Sequence, residues 1–152
     1  MKKTTIIVLV IVYIVSFFLV GLLGQAVRGY DPVVYPESIV LVEPDGKAQL
    51  VDADGYDYYY VVKPYKEGMS ISLKAEVKPD NTSFTDVSYI KDESNNSFNL
   101  LTKNDDPNIE KNYAVITLNE TPSPVLTAKF TVSTQTPGTN IRIKVGITFV
   151  NI

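Results

Sequence analysis

Residues 69–77 read MSISLKAEV, in which Met69, Ile71, Leu73, Ala75 and Val77 alternate with Ser70, Ser72, Lys74 and Glu76. A period of two lines the apolar residues along one face of an extended chain, whereas a helical stripe needs apolar residues every three or four positions. The stretch therefore reads as a β-strand with one dry face. The pattern returns downstream. Leu126, Ala128, Phe130 and Val132 alternate with Thr127, Lys129, Thr131 and Ser133, and Ile141, Ile143, Val145, Ile147 and Phe149 with Arg142, Lys144, Gly146 and Thr148. Leu73, Phe130 and Ile143 sit mid-strand on these dry faces and are expected in the core. Residues 113–118 make a fourth strand, and residues 38–42, 48–51, 56–62, 87–90 and 98–101 are shorter candidates. No stretch beyond residue 28 carries a convincing helical stripe.

Turn chemistry separates these runs at Pro44-Asp45-Gly46, Asp54-Gly55, Pro79-Asp80-Asn81 and Pro137-Gly138. Residues 91–97, KDESNNS, and 102–111, TKNDDPNIEK, are polar and aperiodic, and are expected as exposed, mobile loops. Many short strands with frequent turns, each burying one face, describe an all-β, antiparallel two-sheet sandwich over residues 38–152. A closed barrel is the alternative.

The central segment MSISLKAEVKPDNTSFTDVSYIKDES, residues 69–94, resembles the second and third strands of bacterial immunoglobulin-like domains of the invasin-type group, in which a strand ends in a V-x-P turn before the next begins. The resemblance spans roughly residues 38–152. It implies an immunoglobulin-like sandwich acting as an adhesive, spacer or scaffolding module at a bacterial cell surface, and not a catalyst.

Before the strands lies IIVLVIVYIVSFFLVGLL, residues 6–23, without a charge and broken only by Tyr13, Ser16 and Gly21. At 1.5 Å per residue these residues reach about 27 Å, close to the roughly 30 Å hydrocarbon core of a bilayer. Residues 6–24 are therefore expected to be a signal anchor crossing the membrane once, with 1–5 as a cytoplasmic N-terminus. A secretory signal has a shorter apolar region, although Gly24-Gln25-Ala26 supplies the small residues of a cleavage site, so a secreted form cut near Ala26 is the alternative. Lys2 and Lys3 precede the run and Arg28 is the basic residue soon after it, which keeps the short N-terminus inside and puts the rest outside the cytoplasm. Residues 25–37, QAVRGYDPVVYPE, read as a stalk, since Pro32 and Pro36 favour extended predecessors. Tyr30 and Tyr35 are placed either at the headgroups or against the base of the domain.

Beyond Arg28 the chain keeps 11 of its 14 basic residues and all 17 acidic ones, a net charge of −6. That balance speaks against nucleic acid and anionic lipid headgroups as partners, because both are held by Lys and Arg. Cys, His and Trp are absent, which removes the thiol nucleophile and the commonest general base and metal ligand. Paired carboxylates could still act, with Asp52, Asp54, Asp57, Asp105 and Asp106 as candidates, but these read equally as turn and loop acids. Asp52, Asp54 and Asp57 also raise a calcium site. Their spacing departs from an EF-hand loop, since Gly55 directly follows Asp54 and Lys63 stands where the closing Glu would be. Lys74 and Asn151 are candidate partners for a Lys-to-Asn crosslink between strands, against which stands the place of Lys74 on a wet face. Three N-x-[ST] sequons, at Asn81, Asn95 and Asn119, mark exposed loops and strand ends. No catalytic, cofactor or metal residue is assigned.

The remaining feature is YDYYY, residues 56–60. Alternation puts Tyr56, Tyr58 and Tyr60 on one face and Tyr59 with Val61 on the other. Exposed tyrosines give rigid contact area at low entropic cost, so Tyr56, Tyr58 and Tyr60 are the candidate partner-binding row. Tyrosine is also a common strand filler. The expected function is a membrane-anchored, non-catalytic interaction or structural module with a protein or envelope partner, homo-oligomerisation being left open. The alternative is a tethered ligand-binding module, for example for glycans.

Overall fold

The computed structural model describes residues 3–28, 31–44, 48–94, 96–138 and 140–152. The chain divides into two compact units, residues 1–33 and residues 34–152.

Among its described residues the first unit holds the helix α1 (Lys3–Arg28). Its segment Lys3–Gly24 contains an 18-residue window with a mean hydropathy of 3.2 and is long and apolar enough to cross a membrane. Ile and Val are indifferent helix formers in water, but in hydrocarbon only a structure that pairs its own backbone groups is viable, and a helix does so within one segment. The hydroxyl of Ser16 follows the same logic, donating to Val12 O at 2.8 Å.

Among the described residues the second unit holds nine strands: β1 (Ser38–Val42), β2 (Gln49–Leu50), β3 (Tyr58–Val62), β4 (Ser70–Lys78), β5 (Val87–Lys91), β6 (Phe98–Thr102), β7 (Tyr113–Leu118), β8 (Val125–Thr134) and β9 (Arg142–Val150). They form a four-stranded sheet in the order β1-β4-β7-β6 and a five-stranded sheet in the order β2-β3-β9-β8-β5. The pairings are antiparallel as expected, except β3 with β9, which is parallel. Hairpin logic could not reach that pair, because the two strands are far apart in sequence and β4 to β8 intervene.

Register aligns dry face with dry face. Phe130 lies opposite Val145, Ala128 opposite Ile147, and Leu73 opposite Ala114. The apolar residues of both sheets join one cluster, with Leu73, Ala128, Val145, Ile147 and Phe149 fully buried, Phe130 nearly so, and Ile143 also inside. The alternate residues Ser72, Lys129 and Lys144 are exposed. Along β4, Lys74, Glu76 and Lys78 are linked by ion pairs of 2.9 and 3.5 Å on the outer face.

The turns also match their chemistry. Gly55 and Gly138 take φ of 84° and 85°, in the left-handed region that glycine enters without penalty. Thr82 N donates to Pro79 O at 3.0 Å. Most of Pro44-Asp45-Gly46, together with Asn95 and Tyr30, lies outside the described residues. Residues 103–111, expected within an exposed loop, are mostly exposed and carry hydrogen-bonded turns, with Asp105 N and Asp106 N donating to Thr102 O and Ile109 N to Asp106 O.

The β unit begins earlier than expected. Val34 N donates to Ser83 Oγ at 3.0 Å, Thr82 Oγ1 and Ser83 N donate to Val34 O at 3.0 and 2.9 Å, and Tyr35 stacks on Phe84 at 5.7 Å. Residues 34–37 therefore belong to the β unit rather than to the expected stalk, with the Tyr35 ring against Phe84.

Candidate functional site

The tyrosine run does not present the row expected of it. β3 begins at Tyr58, and its parallel register with β9 sets Tyr58 opposite Val145, Tyr60 opposite Ile147 and Val62 opposite Phe149. All three partners are core residues, so the even-numbered positions point inward. Tyr60 is 1% exposed, and Tyr58 is half-buried, packs on the core and stacks on Tyr60 with centroids 6.5 Å apart. Tyr56 precedes the strand and falls outside its alternation. Tyr56, Tyr58 and Tyr60 are therefore not an outward row. The sequence could not choose the face because YYYVV is apolar at every position, and periodicity carries no sign when both faces look alike.

The outward side of β3 is Tyr59 and Val61. The Tyr59 hydroxyl hydrogen bonds with Thr148 Oγ1, which bonds onward to Thr127 Oγ1 at 2.9 Å. Tyr56 leans against Tyr59 with centroids 5.1 Å apart. Beneath both rings lies Gly146, where an added Cβ would come within 2.7 Å of Tyr59 Cδ2 and 3.0 Å of Tyr56 Cε1. The two tyrosines thus roof a glycine on the outer face of the five-stranded sheet. The signal that could have found them is Gly146 itself, a lone glycine in a regular strand, which marks a close approach by another group.

Tyr60 is a different kind of feature. Its hydroxyl is buried and has no hydrogen-bond partner among the described residues. Burial, with smaller contributions from Tyr58 and Glu43, pushes its pKa up to about 12. Tyr89 is also raised above the usual phenol range by burial, but its hydroxyl is satisfied, donating to Asn112 O at 2.7 Å.

Three of the five acidic candidates, Asp57, Asp105 and Asp106, serve the backbone. Asp57 accepts from Lys144 N at 2.7 Å through Oδ2 and donates its own N–H to Lys144 O at 2.9 Å, extending the β3–β9 pairing by one residue. Asp105 Oδ2 accepts from Thr102 N and Oγ1, and Asp106 Oδ1 from Asn108 N and Nδ2. Among the described residues no three acidic side chains converge to hold a metal ion, so Asp52, Asp54 and Asp57 do not form the calcium site considered above. Lys74 and Asn151 are not brought together as crosslinking partners. Lys74 pairs with Glu76 on the outside of the four-stranded sheet, while Asn151 Nδ2 donates to Pro122 O at 3.3 Å.

Asn112 was not singled out by its sequence context. It adopts φ of 65°, which Asn tolerates better than most residues. Its Nδ2 donates to Thr85 O at 2.6 Å, its Oδ1 accepts from Val87 N at 3.2 Å, and its carbonyl accepts from Ala75 N and the Tyr89 hydroxyl. Asn112 thereby ties β4, β5 and β7 together and forms one wall of a cleft lined by Val87, Tyr89, Thr102, Lys103 and Lys111.

The structure defines a class, a two-sheet β protein headed by an apolar helix. No family model, curated protein or solved structure matches the chain.

Proposed function

We propose that this chain is a membrane-anchored interaction or structural module, non-catalytic, whose β unit lies outside the cytoplasm and has the immunoglobulin-like sandwich arrangement. The observation that carries the reading is strand order. In constant-type immunoglobulin sandwiches strands A, B, E and D make one sheet and C, F and G the other. With β2 and β3 taken as a continuation of the first strand onto the opposite sheet, β1-β4-β7-β6 falls on A-B-E-D and β5, β8 and β9 on C, F and G. The edges and outer faces of such a sandwich are free for protein contacts.

The anchor reading is supported by α1 running without a break through Gly24-Gln25-Ala26 to Arg28, whereas a cleavage site is cut in an extended segment. Lys2 and Lys3, ahead of the apolar run 6–23 in the sequence, favour a cytoplasmic N-terminus. Protease added to intact cells should then remove the β unit and leave a protected fragment of the first thirty or so residues. Recovery of a soluble chain starting at Val27 would overturn the anchor. Saturable binding of a small soluble glycan, without a protein partner recovered from the chain's own membranes, would favour the ligand-binding alternative.

A further inference from the structure

Among the described residues each sheet ends in two strands that pair with another strand on one side only, β1 and β6 in one sheet and β2 and β5 in the other. Such edges pair with any strand offered unless something blunts them. β2 is two residues long, and β1 is bracketed by Pro36 and Pro44. On β6, the bond from Asn119 N to Ser97 O sets the alternation, so residues 99 and 101 face β7 while Phe98, Leu100 and Thr102 turn their backbone groups outward. The chain covers both ends of that row. Lys91 Nζ donates to Phe98 O, Asp105 Oδ2 accepts from Thr102 N at 2.9 Å, and Asp105 N and Asp106 N donate to Thr102 O.

β5 is treated differently. Gln135 N donates to Asp86 O at 3.0 Å and Asp92 N to Lys129 O at 3.2 Å, so the even-numbered residues between them bond to β8 and Val87, Tyr89 and Lys91 turn outward. Asn112 Oδ1 takes Val87 N. Among the described residues nothing takes the Val87 carbonyl or the N–H and C=O of Tyr89 and Lys91. Val87, Ser88 and Tyr89 border the cleft whose far wall is residues 102–104 and 111–113. Lys111 in that wall is already paired with Asp86, whereas Lys103 has no ion pair among the described residues.

We propose that the β5 edge is a strand-acceptor site, taking an extended, proline-free segment of a partner protein that pairs with the backbone of Tyr89 and Lys91 and sets an acidic residue against Lys103. In this recognition mode main-chain bonds supply affinity and neighbouring side chains supply selectivity. A second copy of β5 fits less well, because its own 102–112 segment would have to share the cleft. The site deepens the interaction-module reading and rests on it.

The test uses the full chain in detergent micelles and a panel of fluorescein-labelled hexapeptides of alternating Thr and Val, each with one Glu at a different position. At least one should bind saturably by fluorescence anisotropy and slow amide exchange at Tyr89 and Lys91. Proline is tolerated at an edge where its missing N–H faces outward, so Lys91→Pro should leave the β5–β8 ladder intact. It should weaken binding by about tenfold or more, a loss of one main-chain donor to the peptide, while Lys91→Ala, which keeps the N–H, changes it less than about twofold. Lys103→Glu should weaken binding of the Glu-bearing peptides. Absence of saturable binding across the panel at millimolar peptide, or equal losses from Lys91→Pro and Lys91→Ala, would overturn the site. If Lys91→Pro loses its β-sheet circular dichroism, the amide exchange of the unaltered chain decides. A chain that binds no peptide yet is cut from intact cells by protease would sink the strand site alone and leave the anchored-module reading standing.

Discussion

Replacing Tyr60 with Phe should stabilise the β unit, and more so at high pH. The ring of Tyr60 is packed in the core, so Phe keeps nearly all of its apolar contact, while the hydroxyl that disappears is buried and has no hydrogen-bond partner among the described residues. An unsatisfied buried polar group costs about 1–3 kcal/mol, against a few tenths for the dispersion contacts of one lost atom, giving a net gain of about 1 kcal/mol at neutral pH. In a domain of this size that raises the melting midpoint by about 4 °C. The pH term adds to it. Below pH 10 Tyr60 is protonated in both states and contributes no pH dependence. Above pH 10 the unfolded chain releases the proton while the folded chain, with its pKa pushed up to about 12, holds it, so stability falls as pH climbs from 10 to 12. A shift of that size corresponds to about 3 kcal/mol. The advantage of Tyr60→Phe should therefore widen from about 1 kcal/mol at pH 8 to about 3 kcal/mol at pH 12, where the folded group is itself half ionised, the titration of the other tyrosines being common to both proteins. Urea unfolding followed by circular dichroism at several pH values measures it. A Phe variant less stable than the parent at pH 8 would show that the hydroxyl has a partner, and an advantage that stays constant to pH 12 would show that Tyr60 is not held protonated by the fold.

Leu73→Ala and Phe130→Ala remove fully or nearly fully buried side chains and should each cost about 2–5 kcal/mol in the same assay, whereas Lys129→Ala on the outer face should cost under about 0.5 kcal/mol. Gly146→Ala drives a methyl into the ring of Tyr59 and should cost about 1–3 kcal/mol; combined with Tyr59→Ala the two losses should fall clearly short of additive, and full additivity would refute the roofed-glycine account. Asn112→Ala loses both side-chain bonds and the tolerance of positive φ, for about 2–4 kcal/mol, while Asn112→Gly keeps the backbone freedom and should be milder by roughly 1 kcal/mol. Equal losses would mean that backbone conformation is not what Asn112 supplies.

Local pattern was enough for the strands around Leu73, Phe130 and Ile143, for the glycine turns at 55 and 138, and for the apolar helix. In each case the information is periodic or single-residue: burial of one face dictates alternation, φ above zero dictates glycine, and an unbroken apolar run gives a helix long and apolar enough to cross a membrane. The residues that ended up bonded to distant backbone were not legible in this way. Tyr60 went to the core and Tyr59 to the surface because β3 lies parallel to β9 in a register set by residues more than eighty positions away. Within YYYVV neither face is marked polar, and only the neighbouring strand could break the tie. Asp57 and Asn112 looked like ordinary polar loop residues, yet they close β3 onto β9 and hold β4, β5 and β7 together. Residues 34–37 read as linker because prolines and tyrosines say little about what lies alongside, and Ser83 and Phe84 supply that only after folding. Alternation is a property of neighbours along the chain and survives in the sequence, whereas register, strand direction and the choice of which edge stays open arise from contacts between segments that the chain brings together only in three dimensions.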